Sequence, residues 1–399
     1  LLTSDGLWGH LLGQVMGLLL NSHKEIKMKH ISRDKKYNIV RSLSEHELKK
    51  QKIKGKLENL QVKVSNPQKT INEYMGKEPD HWLKYNRART SEKRTFYMLL
   101  DELLNIIPES KIGNGRPPIP VRDLLFCACI KLYNGFSARR ISSDLDHCAR
   151  MGFITKVPHF NTLLTFLNNP STNEIIKYII TLAAMPLSQI EKDFAVDSSG
   201  FGSYQYERWM KVRFGNNTKR GWRNYVKCHI SIGTETHIIV AAEITHGNES
   251  DTKQFPGLIK QTSTNFKIEK CLADKAYSSR KNFEIIEKLN ALPFIPFKSN
   301  TTGKAKGCAL WHAMYEYFHD NQEGFKSFYG QRSQVESAFS MIKTKFGEFL
   351  KCKNFESQKN EVLLKCLCHN ISCLVSEIFK RDLKVDFDCY SDKIVLPNP

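Results

Sequence analysis

The sequence predicts a mixed α/β protein: a five-stranded sheet flanked by helices and preceded by an all-α N-terminal domain. Two observations predict it. From about Trp82 to Leu187 apolar residues recur at three- and four-residue spacing, the period of a helix. From Phe194 onward, short runs rich in Val, Ile and Phe alternate with helical stretches in the order strand, hairpin of two strands, helix, strand, helix, strand, helix. Such an order buries its apolar faces as a mixed sheet with helices packed on it.

In the helical half, TSEKRTFYMLLDELLNII is followed by a Gly/Pro break, GNGRPPIP, and by three shorter pieces: VRDLLFCACIKLYN, SARRISSDLDHCARMG and FNTLLTFLNN. Ser137 suits the N-cap of the second. Three short helices beside Arg139 and Arg140 fit a helix-turn-helix DNA reader, and fit equally a plain helical bundle with an exposed basic face. In the second half, FAVDSSG is a short strand that ends in Asp197. NYVKCHISIG and HIIVAAEITHG form a hairpin through a polar turn at Thr234 and Glu235. Then come a helix (DTKQFPGLIKQTS), a strand ending in Asp274 (IEKCLADKAYSS), a helix (SSRKNFEIIEKLN), a strand (ALPFIPF) and a long helix from about Gly324 to Phe349. The segment LLKCLCHNISCLVSEIF reads as a buried helix. The expected domains are a basic, partly disordered arm (1–80), a helical domain (81–190), a catalytic α/β domain (191–380) and a tail (381–399). Within the arm, Met28 is a candidate start, with residues 1–27 as upstream read-through.

Charge narrows the partner. Sixty Lys and Arg against 41 Asp and Glu leave +19 on 399 residues. Such an excess attracts polyanions, because each neutralised phosphate releases condensed counterions. Nucleic acid is the first candidate, and no stretch reads as a membrane span. The length of 399 residues excludes a small disulfide scaffold, and eleven scattered Cys without paired CxxC motifs fit a reduced, cytoplasmic setting.

The chemistry-bearing residues are acids. A carboxylate at a strand end, as read for Asp197 and Asp274, lies where α/β sheets gather ligands, although an Asp there is more often a turn former. On the last helix, Tyr329, Arg332 and Lys343 fall at about +20°, −40° and −20° from Glu336. They share one stripe beside an apolar one made of Phe328, Val335, Phe339, Ile342 and Phe346. Taken alone, that pattern is better explained by a solvated edge with an Arg332–Glu336 pair.

The motif Y-x2-R-x3-E-x6-K, at Tyr329, Arg332, Glu336 and Lys343, resembles the signature of the DDE transposases of prokaryotic insertion sequences. FAVDSSGF, LADKAYSS, IPFKSN and, upstream, Trp82, Tyr85, Asn86 and the GRPP run extend the resemblance over roughly Trp82 to Phe379. The resemblance implies an RNase H-like domain in which Asp197, Asp274 and Glu336 are catalytic and hold two divalent ions, Mg2+ or Mn2+. It implies cleavage at the element's ends and transfer of the freed 3′-OH into target DNA, by a homodimer on paired terminal inverted repeats. Tyr329, Arg332 and Lys343 would touch phosphates, with Lys298 nearby. The alternative is a DNA-binding protein derived from a transposase that has lost catalysis or been recruited by a host.

Between the first strand and the hairpin, Arg208, Trp209, Lys211, Arg213, Lys219, Arg220, Trp222, Arg223 and Lys227 interleave cations with aromatics, a pattern that suits a DNA track. His229 is read either as facing the site or as a core residue. Asp251 is read as a helix cap or as a further ligand.

Overall fold

The computed structural model describes residues 47–60, 81–107, 118–203 and 225–391. Chain contacts divide it into two compact units, Leu1–Lys56 and Leu57–Pro399. In the first, the residues from 47 onward are helical. The second holds everything that follows.

Its first part is helical: α1 (His81–Asn105), α2 (Val121–Tyr133), α3 (Ser142–Arg150), α4 (Phe160–Leu167) and α5 (Ser171–Ala184). Ser137 does not cap α3. It accepts the Arg140 amide at 3.3 Å and so closes the turn ahead of that helix. Next come β1 (Asp193–Gly202), β2 (Tyr225–Gly233), β3 (Ile239–His246), α6 (Asp251–Asn265), β4 (Lys270–Ala273), α7 (Arg280–Lys288) and β5 (Leu292–Phe294). Four helices follow: α8 (Ala309–Asp320), α9 (Gln322–Tyr329), α10 (Ser333–Phe346) and α11 (Phe355–Arg381).

The five strands form one sheet in the order β3-β2-β1-β4-β5. β1 pairs antiparallel with β2 and parallel with β4, so the sheet is mixed as expected. The strand and helix order is that of an RNase H-like fold. Two departures stand out. α8 was not foreseen; it is held by Trp311, which stacks edge-on against Phe283 and Phe297. The long terminal helix is broken as well. α9 and α10 are joined by a 3-10 turn at Gly330–Arg332, and α10 stops at Phe346 because Gly347 turns to φ 82°.

α11 is the hub of the core. It packs on α1, α5, α2 and β3. It is also long and apolar enough to cross a membrane, which corrects the sequence reading, but its apolar window is 72% buried inside the protein. A core helix of this kind can carry polar groups only if each finds a partner. Asn370, fully buried, does so against the first residue of β3. It accepts the Ile239 amide at 2.8 Å and donates to the Ile239 carbonyl at 2.7 Å and to the Ile180 carbonyl at 3.1 Å.

Two core histidines set an acid limit. Burial pushes His229 and His369 down from 6.5 to about 4. The unfolded chain therefore takes up protons that the folded chain refuses. The stability these sites contribute is complete above pH 6.5 and is lost as pH falls toward 4, by on the order of 3 kcal/mol per site. The urea midpoint should fall between pH 7.5 and 5, and a His229→Asn/His369→Asn variant should flatten that slope. An unchanged slope in the variant would exclude these two residues as its source.

Candidate active site

The β1–β4 pairing ends at Val196↔Ala273. Asp197 and Asp274 are the next residues on the two neighbouring parallel strands. Parallel strands that part company open a crevice beyond their ends. Asp274 does follow the end of its strand. Asp197 does not: β1 runs on to Gly202, paired with β2, so the sequence expectation is corrected. What ends at Asp197 is only the contact with β4. Farther along the same strand, the chain leaving α10 comes back. Gly202 N–H donates to the Glu348 carbonyl at 3.1 Å, and Leu350 N–H donates to the Gly202 carbonyl at 2.8 Å. A Cβ at Gly202 would sit 2.9 Å from the Phe349 ring, so glycine permits this approach.

Each aspartate has one oxygen fixed locally. Ser198 N–H donates to Asp197 Oδ1 at 2.8 Å, and Lys275 N–H donates to Asp274 Oδ1 at 2.6 Å. Side chains alternate along a strand, so Asp197, Ser199 and Phe201 share one face of β1. α10 lies over that face. Its apolar side buries Val335, Phe339 and Ile342, and its polar edge reaches across. Arg332 donates through Nη2 to Asp197 Oδ2 and through Nη1 to Glu336 Oε1, each at 2.7 Å. Lys343 Nζ donates to Ser199 Oγ at 2.8 Å and stands 5.3 Å from the Phe201 ring. Tyr329 is half-buried and stacks on Phe325. The stripe read from the sequence thus converges on β1, although the 3-10 turn interrupts the ideal helix on which it was drawn.

The electrostatics agree with this grouping. Burial pushes the Asp197 carboxyl up. The Ser198 amide and Arg332 pull it back, and the charge on Asp274 adds to the rise. Burial also works against the Arg332 charge, but Asp197, Tyr329, Glu336 and Asp274 outweigh it and push the guanidinium up. Burial raises the Tyr329 phenol, against a downward pull from Arg332. All three acids therefore bear on one arginine.

The fit to a divalent metal is good in chemistry and incomplete in position. Three carboxylates supply the hard oxygens such an ion prefers. Among the described residues, however, no three His, Cys, Asp or Glu side chains stand close enough together to hold one. The cation at this site is Arg332, and Glu336, exposed along much of its side chain, is turned toward it.

The remaining residues divide by location. Arg208, Trp209, Lys211, Arg213, Lys219, Arg220, Trp222 and Arg223 lie outside the described residues. Lys227 belongs to β2 rather than to a loop. It donates to Asp251 Oδ1 at 2.8 Å, and Ser198 Oγ donates to the same oxygen at 2.9 Å. His229 lies opposite Ser198 in the strand register, on the face turned away from Asp197, and is fully buried. The core reading of His229 is the one the fold adopts. Asp251 is not the cap of α6, which is Ser250; it ties α6 to β1 and β2. Lys298 is exposed beyond β5, and Arg139 and Arg140 are exposed on the helical part, against the Phe160 and Phe136 rings. Ser199, the seat of Lys343, was not picked out from the sequence. Its only signal was its place two residues beyond Asp197.

No solved structure matches the chain. The family model described as Transposase DDE domain matches residues 189–371, which run from just before β1 into α11 and include Asp197, Asp274 and Glu336. Residues 189–371 thus form a region similar to the DDE domain of transposases.

Proposed function

We propose that the protein is a transposase that cuts DNA at the ends of an insertion sequence and joins the freed 3′-OH to target DNA, with Asp197, Asp274 and Glu336 as its catalytic carboxylates. The observation that carries the reading is the Arg332 fork. It draws together one acid from β1 and one from α10, 139 residues apart in sequence, beside a third at the end of β4. Members of the family generally use divalent metal ions, and the three carboxylates are the residues that would hold them, as two Mg2+ or Mn2+. Bound there, the ions would supply Lewis-acid stabilisation of the attacking and leaving oxygens at phosphorus.

The chain's own residues would do the rest. Arg332 has the planar fork to grip a phosphate through two hydrogen bonds, and Lys343 offers a point charge farther along the same helix. Tyr329 closes the near end of that row. The +19 net charge would bring duplex DNA to this surface. Paired terminal repeats call for a homodimer, and the free thiols among the described residues suit a cytoplasmic setting.

The test is cleavage of DNA carrying an element end and its flank, in Mg2+ or Mn2+. Wild type should nick at the end. Glu336→Ala should be slower by on the order of 10^3-fold while binding the same duplex within a few-fold. Equal cleavage by the variant would remove Glu336 from the site. Binding without cleavage in wild type would favour the binder that has lost catalysis.

A further inference from the structure

We infer that the protein holds a second DNA-backbone site, in a groove between its helical part and the connection from α10 to α11; the inference rests on the reading of DNA as substrate. The groove has a volume of about 660 Å³ and is lined by Lys131 of α2, Arg139 ahead of α3, Lys351 and Lys353 after α10, and the amides Asn168 and Asn354. Four cations around one hollow repel one another, so the arrangement calls for an anion. The acids packed behind it are already engaged. Glu361 accepts the Lys351 and Cys352 amides at 2.9 to 3.1 Å. Glu356 pairs with Lys359 at 3.0 Å.

Lys131 decides the matter. It is 8% exposed, it lines the groove, and among the described residues it makes neither an ion pair nor a side-chain hydrogen bond. A lysine whose stem is buried while its ammonium opens into the groove offers its charge to an anion there. Arg139 is held in place by the Phe160 ring, 4.5 Å below its guanidinium, which leaves its donors directed outward. The amide-bearing cap of α11, Asn354, lines the same wall, and the positive end of that helix dipole adds to the field.

The groove is also placed for a duplex leaving the acid cluster. Arg332 precedes the 14 residues of α10, Lys343 lies in its last turn, and the groove begins beyond its end. The helix covers about 20 Å, on the order of six nucleotide steps along one strand. A backbone running along α10 would meet cations at both ends of that span. A small phosphorylated ligand would have no need of the continuity with Lys343.

The test is the salt dependence of duplex binding by the full chain without divalent ions, read by fluorescence anisotropy. Arg139→Gln/Lys353→Gln, both exposed positions, should lower the slope of log K against log salt by about 1.8, and Lys131→Gln by about 0.9 more. Affinity should fall several-fold for each cation removed. Lys260→Gln/Lys281→Gln makes the same change in net charge on exposed faces of α6 and α7 and should leave the slope unchanged. If the groove variants keep the wild-type slope while Lys343→Ala loses about 0.9, the groove is not a DNA site and the acid-cluster reading stands. If the groove and control pairs lose slope equally, net charge alone is at work and the groove proposal fails. If the wild type shows no salt-dependent duplex binding, the DNA reading falls first and takes the groove with it.

Discussion

Asp274→Asn should remove DNA cleavage, by on the order of 10^3-fold or more, and leave both the fold and duplex affinity nearly intact. The reasoning is local. Asp274 ends β4, and the structural duty of its side chain is to accept the Lys275 amide through Oδ1 at 2.6 Å, as the cap of a short 3-10 turn. An asparagine carbonyl keeps that bond and the same shape. What it cannot keep is the negative charge beside Asp197. Asp197→Asn should behave alike in cleavage, with a different structural cost: the Ser198 amide keeps its acceptor, but Arg332 loses one of its two carboxylates. Thermal unfolding of both variants beside cleavage of element-end DNA separates the outcomes. A large drop in midpoint with partial cleavage would mean that Asp274 is a structural cap only. Wild-type cleavage by Asp274→Asn would take it out of the chemistry altogether.

Much of this site was legible because its parts obey short-range rules. The hairpin of β2 and β3 has two β-rich runs around a polar turn. The stripe of Tyr329, Arg332, Glu336 and Lys343 follows from 3.6 residues per turn and needs no tertiary contact to place it. The acids beyond Val196 and Ala273 were found because apolar runs stop there. The same rule misled at Asp197. Ser198, Ser199 and Gly200 have poor strand propensity, yet backbone pairing with β2 carries the strand through them to Gly202. Gly330 likewise sits where the ideal helix tightens into a 3-10 turn, and nothing in the pattern of apolar residues marks that change. α8 escaped notice because a polar, Gly-containing stretch separates it from β5, and its apolar residues answer to aromatic partners on β5's far side and on α7. Asp251 looked like a cap because it stands one residue into α6. Its actual partners, Ser198 and Lys227, are 53 and 24 residues away. Contacts of that range have no local signature, and neither does the Lys131 groove, whose walls come from α2, α4 and the connection after α10.

Arg332→Ala should give two effects of opposite sign. In the protein without DNA, affinity for Mn2+ should rise by about 10-fold or more. In the cleavage assay the rate should fall by at least about 10^2-fold. The first effect follows from competition. Arg332 neutralises Asp197 and Glu336 through two hydrogen bonds of 2.7 Å, and its positive charge would repel a second cation brought to the same carboxylates. Deleting it removes the competitor and the repulsion together, and frees Glu336, an exposed side chain on a helix edge, to turn toward the aspartates. The second effect follows from what the guanidinium is free to do once its acids have another cation. Its Nε is buried without a hydrogen-bond partner, so the guanidinium keeps a donor to spare when its two terminal nitrogens exchange carboxylate for phosphate. On this view duplex DNA and metal assist one another, because phosphate draws the fork away from the acids that the metal needs. Titration of Mn2+ by electron paramagnetic resonance, with and without duplex, measures both arms. DNA should tighten metal binding in wild type and have much less effect in Arg332→Ala. Arg332→Lys keeps the charge and loses the fork, so its metal affinity should stay near wild type while its cleavage falls. If Arg332→Ala binds Mn2+ no more tightly than wild type, the arginine is an ordinary structural ion pair, and the exchange between acids and phosphate does not occur.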